Sequence, residues 1–147
     1  MQPQDRKTGW WQGVLYGAGV LALLVLLTPG WAGAVDLTVD NGDTLYVPPS
    51  ITYDNETIGY NSQGTLVHIF GSNTVNQDLT LGNTVPGSGT YELWPFGTLT
   101  VGNSEFIGFE GTGSFSQIGG THTVNNRLTI GEFTGSSGTY QDRKSVV

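Results

Sequence analysis

A chain of 147 residues has room for one domain. It sets 12 acidic side chains against five basic ones, for a net charge of −7, which excludes the usual electrostatic routes to nucleic acid and to anionic lipid. Cysteine is absent, so thiolate catalysis, Cys-ligated zinc and disulfides are excluded too.

The first 34 residues read as a leader. Arg6 and Lys7 precede an apolar run from Val14 to Leu27, and Pro29-Gly30 then breaks any helix before Ala32 and Ala34 in A-x-A spacing. This pattern predicts a helical signal peptide over residues 1–34, cleaved after Ala34. The apolar run is shorter than the roughly 20 residues a spanning helix needs. The mature chain is therefore expected to be secreted, extracellular or on a bacterial cell surface.

Beyond the leader, short apolar islands alternate with Gly, Asn, Ser and Thr, and glycine reaches 23 residues. That texture marks an all-β chain. Residues 35–63 read as an N-terminal cap with the first strands. In "LTVDNGDTLYV" two short strands flank a turn at Asn41-Gly42, read as a polar hairpin turn, and Pro48-Pro49 follow. Asp36, Asp40 and Asp43 would discourage edge-to-edge pairing.

Residues 64–141 read as a truncated array of repeats. The segment from Ile58 aligns without a gap on the segment from Ile107, at an offset of 49, with about fifteen identities in thirty-five pairs. Two markers divide that unit again. Gly-Thr/Ser-aromatic or aliphatic recurs at Gly64, Gly89, Gly113 and Gly138, and an aliphatic-Gly pair recurs at Ile58, Leu81, Ile107 and Ile130. The mean step of 24–25 residues predicts one lap of a parallel β-helix, or β-solenoid. Equivalent residues would then stack about 4.8 Å apart. Alternation places Val124, Leu128 and Ile130 inward and Thr129 outward. Asn76 and Asn125 are expected in a stacked amide ladder, and Tyr91 and Tyr140 in an aromatic stack.

The residues that look reactive are the ones the repeat does not reuse. His122 aligns with Asn73, Arg127 with Asp78, and His68 with Gln117. Such a pattern suits a scaffold, with His122 at a solvated or hydrogen-bonded surface position. The last six residues, "DRKSVV", match the in-frame translation of a common sequencing adapter. Residues 142–147 are accordingly read as a non-native tail, with the native chain continuing past Gln141.

"GSFSQIGGTHTVNNRLTIGEFTGSSGTY" resembles the repeats of large secreted bacterial β-strand-repeat proteins, described as autotransporter-type passengers, some with a Pro-Glu-Pro sorting signal. The resemblance spans about Ile58 to Gln141. It implies an outer-membrane or matrix β-solenoid, structural or adhesive (an adhesin) more often than catalytic.

Other candidates carry less. Asp40 to Asp43 could offer oxygens to calcium but lack the spacing of known calcium loops. Glu105 and Glu110 could form a glycosidase pair but read as solvated surface. No nucleophile elbow and no phosphate-loop lysine is present. Trp94 and Phe96, around Pro95, are candidates for stacking on sugar rings, against a core or corner-filling role for the tryptophan. The expectation is a non-enzymatic exported solenoid without catalytic residues, cofactor or metal. Its partners would be carbohydrate, other surface proteins or a second copy through lateral self-association, not nucleic acid or membrane. The alternative is a fragment of a polysaccharide lyase or hydrolase built on the same fold, whose active coils lie elsewhere.

Overall fold

The computed structural model describes residues 35–143; the leader expected over residues 1–34, with its cleavage at Ala34, and residues 144–147 of the tail lie outside them. The described residues form twelve strands, and every ladder among them is parallel. The chain winds as a β-solenoid of about four turns.

Each lap has three straight runs. The first is short: β1 (Leu37–Val39), β4 (Glu56–Ile58), β6 (Leu79–Leu81), β8 (Ser104–Ile107) and β11 (Arg127–Ile130) form one five-stranded sheet in that order. The second and third runs make the other sheet. There β2 (Asp43–Tyr46) and β3 (Ser50–Tyr53) both lie beside the long β5 (Gln63–Val75), which turns the corner between the runs. Next to it is β7 (Ser88–Val101), then β9 (Thr112–Gln117) and β10 (Thr121–Val124) on its two halves, with β12 (Ser137–Asp142) outermost on β9.

Both glycine markers have a steric cause. Gly59, Gly82, Gly108 and Gly131 hold φ between +68° and +78° where the first run ends, a region that side chains avoid. A Cβ on Gly108 would also strike the Ser137 backbone of the next lap. Gly64, Gly89, Gly113 and Gly138 form one column, and a Cβ there would strike the backbone of the first run. The laps can approach this closely only without side chains at those points.

Stacking in register builds the core from columns. Leu66, Tyr91, Phe115 and Tyr140 are successive members of one; the Tyr91 and Phe115 rings lie 5.0 Å apart at 10°, and Phe115 and Tyr140 lie 5.2 Å apart at 11°. Tyr91 and Tyr140 thus share a face as expected, with Phe115 between them. Ile58, Leu81 and Ile107 are wholly buried in another column.

Several expectations need correction. Asn41-Gly42 does not close a hairpin: β1 pairs only with β4 and β2 only with β5, so this turn is a corner of the first lap. Asn76 and Asn125 do not form a ladder, because an offset of 49 is two laps and Gly102 stands between them. The corner amides that bond are Asn55 to Asp36, Asn76 to Asp54, Asn103 to Asp78 and Asn126 to Asn103, each between adjacent laps. Leu128 and Ile130 occupy inward columns yet are 42% and 48% exposed, since β11 is the outermost described strand of its sheet. The strand of the last lap runs through Gln141 into Asp142, and Arg143 donates its amide to the Gln117 carbonyl at 2.7 Å.

Candidate functional site

The chemistry-bearing side chains gather inside the rod. Glu56, Glu105 and His68 are fully buried and Asn73 with them. Each stands at an inward position of its strand, beside an aliphatic residue of the next lap: Leu79 for Glu56, Leu128 for Glu105, Leu93 for His68 and Leu99 for Asn73. The first-run column reads Leu37, Glu56, Leu79, Glu105, Leu128. A third-run column reads Ile51, Asn73, Leu99, His122. Apolar and polar laps therefore alternate, and this alternation makes the sequence repeat every two laps instead of one.

Within the first polar lap the bonds form a directed chain. Gly71 O is a pure acceptor, so His68 donates from Nε2 at 3.1 Å, leaving Nδ1 to accept the Tyr91 hydroxyl proton at 2.9 Å. The Tyr91 oxygen accepts from Asn73 Nδ2 at 3.2 Å, and the same amide donates to Glu56 Oε2 at 3.0 Å. Burial pushes His68 down, only partly opposed by the Gly71 and Phe70 backbone, which keeps its ring neutral as this chain requires. Burial also pushes Tyr91 well above the usual phenol range, helped by Glu56, so the hydroxyl keeps its proton.

Two acceptors in this lap have no bond: Glu56 Oε1 and Asn73 Oδ1. A proton on Glu56 removes the charge from a carboxyl whose Oε1 meets no donor, while Oε2 still accepts N–H from Asn73. Burial raises Glu56 to about 8, against which the Asn73 bond acts only in part, so the carboxyl carries that proton at neutral pH. Tyr53 faces the same carboxyl and is itself pushed up, by burial first and by Glu56 second.

The second polar lap repeats the chain with one exchange. Gln117 Nε2 donates to the Gly120 carbonyl at 3.3 Å, and the Tyr140 hydroxyl donates to Gln117 Oε1 at 2.6 Å. Tyr140 O must then accept from His122 Nδ1, at 3.3 Å, while His122 Nε2 meets Glu105 Oε2 at 2.6 Å. With Nδ1–H fixed by this order, one further proton lies between Nε2 and Oε2, and the pair is neutral as a unit. The histidine moves from one position of the chain to another between the laps, but both buried carboxyls end up neutralised.

These placements overturn two expectations. Glu105 is not solvated surface; it points inward at the opening of β8, while Glu110 is exposed beside a shallow groove lined by Val85, Pro86, Gly87, Thr112 and Gly135. The two carboxylates therefore do not face each other across a cleft. His122 is not a surface residue, since its ring stacks on Phe115 at 4.5 Å and bonds a buried acid. Glu56 was not singled out from the sequence at all. Its signal lies two residues before the aliphatic-Gly marker, where ETIG, LTLG, EFIG and LTIG alternate Glu with Leu.

The remaining candidates sit outside. Asp40 accepts from the Asn61 and Ser62 amides and the Ser62 hydroxyl; burial acts to raise its carboxyl, but these bonds, with that of Asn41, together hold it below the usual range. Asp43 opens β2. Among the described residues no three ligating side chains come together as a metal site. Arg127 lies over the Phe106 ring at 5.1 Å, with Glu132 at 3.7 Å. Trp94 is 39% and Phe96 80% exposed on the corner of β7, Phe96 beside Phe70 of β5. Neither fills the core. Compared with family models, curated proteins and solved structures, the chain matches none.

Two predictions follow from the interior. Because Glu56 is raised from an ordinary 4.5 to about 8, its contribution is complete below pH 4.5 and is lost as pH rises through 8. Urea unfolding should show a loss on the order of a few kcal/mol across that window. Glu56→Gln keeps an oxygen to accept the Asn73 amide without a titrating proton, and should flatten this part of the profile. In the second lap, His122→Leu leaves Glu105 buried without its partner and should cost about 3–5 kcal/mol. The double variant Glu105→Leu/His122→Leu extends the leucine columns of Leu79, Leu128 and Leu99, and should recover most of that loss in the same denaturation assay.

Proposed function

We propose that this chain is a non-enzymatic solenoid segment of an exported cell-surface or extracellular-matrix protein, with a structural or adhesive role. The observation that carries the reading is the commitment of both histidines and of Glu56 and Glu105 to interior hydrogen bonds. A hydrolase needs such groups at a surface a polymer can reach; here they neutralise one another out of reach of solvent. What the rod presents outward is periodic instead: hydroxyl columns, corner amides and the exposed aromatics Phe70, Trp94 and Phe96. Many weak contacts along such faces suit carbohydrate, other surface proteins or a second copy, with Trp94 and Phe96 as the places where a sugar ring would stack.

Export is tested by expressing the full chain in a Gram-negative host with a periplasmic-active reporter after Asp142. The reading expects reporter activity outside the cytoplasm and a mature N-terminus at Val35. An intact N-terminus with the reporter retained in the cytoplasm overturns the export. Turnover of acidic polysaccharides by the purified chain would overturn the non-enzymatic assignment.

A further inference from the structure

The third run of the solenoid carries a pattern found on neither of the other two. Its outward positions form two columns across four laps: Ser50, Ser72, Thr98 and Thr121, then Thr52, Thr74, Thr100 and Thr123. All eight are hydroxyl residues. The residues between them in each strand, Ile51, Asn73, Leu99 and His122, point inward and are less exposed. The register runs without a break from β3 through β5 and β7 to β10, so the eight side chains form a regular grid.

Three further observations define what this grid can meet. No hydrogen bond within the described residues engages any of the eight hydroxyls, in contrast to Thr84, which bonds Tyr60 and Asn61. No charged side chain enters the grid, although the chain carries 12 acidic residues. The second run differs: its hydroxyl column of Thr44, Thr65, Thr90, Ser114 and Thr139 adjoins one holding Tyr46, Val67, Glu92, Ser116 and Gln141. The third-run grid is also bordered on its corner side by exposed Phe70 and Phe96.

The geometry then fixes two repeats. Parallel strands place neighbours in a column about 4.8 Å apart, and two residues along a strand span about 6.6 Å. Both repeats fall near the oxygen spacings of a prism face of hexagonal ice. The chemistry agrees with the spacing. Each lattice water donates and accepts hydrogen bonds, and so does each hydroxyl. Both surfaces are uncharged, whereas a polyanion or polycation would require ionic partners that the grid lacks. At six of the eight positions threonine adds a methyl group beside the hydroxyl, and its branched side chain is stiff about χ1, so most of the grid is ordered before contact. A preorganised surface loses less entropy when it binds.

We propose that the face of Ser50, Thr52, Ser72, Thr74, Thr98, Thr100, Thr121 and Thr123 is an ice-binding surface. The ligand is the hydrogen-bonded lattice of solid water, met by the grid as a two-dimensional match. This assignment goes beyond the structural reading above and does not depend on export.

The test uses the full chain and ice itself as the probe, reading thermal hysteresis and inhibition of recrystallisation. The parent should depress ice growth measurably below the melting point. Thr100→Tyr, in the middle of the grid, should lower that activity at least tenfold by lifting the face off the lattice. Thr90→Tyr, outward on the second run, should leave it unchanged. Circular dichroism reports whether each variant keeps its β-sheet; should Thr100→Tyr lose it, Thr123→Tyr on β10, the outermost strand of the grid, is read in its place. An inactive parent, or a parent and Thr100→Tyr of equal activity, overturns the proposal. Retention on crystalline cellulose or chitin without any effect on ice would assign the face to a solid polysaccharide and overturn it equally.

Discussion

Parallel register between laps is the constraint on which the rest of this molecule depends. Once strands of successive laps lie side by side about 4.8 Å apart, every position belongs to a column and its neighbours are fixed by the length of the lap. A side chain pointing inward cannot turn out to solvent without moving the whole strand by one residue. Glycine at the tight corners and at the column of closest approach is a consequence of this packing, as is the uninterrupted stack of Tyr91, Phe115 and Tyr140.

The same constraint turns most interior polar atoms toward one another, although Glu105 Oε1, like Glu56 Oε1 and Asn73 Oδ1, meets no partner among the described residues. A bare carboxylate inside such a rod would be costly. The two polar laps reach neutrality differently, Glu56 by holding its own proton and Glu105 by sharing one with His122. In each lap a tyrosine from the following lap joins the chain, so the polar layers also tie adjacent laps together. Directional bonds of this kind specify one register where aliphatic columns alone would tolerate slippage. Burial of Glu56, opposed in part by its bond from Asn73, makes the protein answer to pH in the sense opposite to an ordinary salt-bridged acid.

Much of the fold was legible in the sequence because its cause is local and periodic. The two glycine markers, the lap length and the shared face of Tyr91 and Tyr140 all report the backbone path directly. The interior chemistry was harder to read, because its partners are distant in sequence: Glu56 meets Asn73 across a corner, and His122 meets Glu105 the same way. Aligning two copies also hid it, since Asn73 against His122 and His68 against Gln117 look like unconserved surface when they are alternative members of one chain. Asn41-Gly42 misled for a related reason, as a turn that reverses a hairpin and a turn that rounds a solenoid corner use the same residues. The two-lap period itself held the clue, for the strict alternation of Leu and Glu before each aliphatic-Gly pair has no purpose on a solvated face.

The most direct test of parallel register uses the absence of cysteine from these 147 residues. Neighbouring Cα atoms across parallel strands lie within the roughly 4.4–6.8 Å that a disulfide spans. Thr90 lies opposite Ser114, and Glu92 lies opposite Ser116, both outward on β7 and β9. Cysteine pairs placed at 90 and 114, and separately at 92 and 116, should both cross-link on mild oxidation. An antiparallel pairing with Thr90 opposite Ser114 would instead bring Glu92 against Thr112. Cross-linking of the 90–114 and 92–112 pairs, with none at 92–116, would contradict the solenoid.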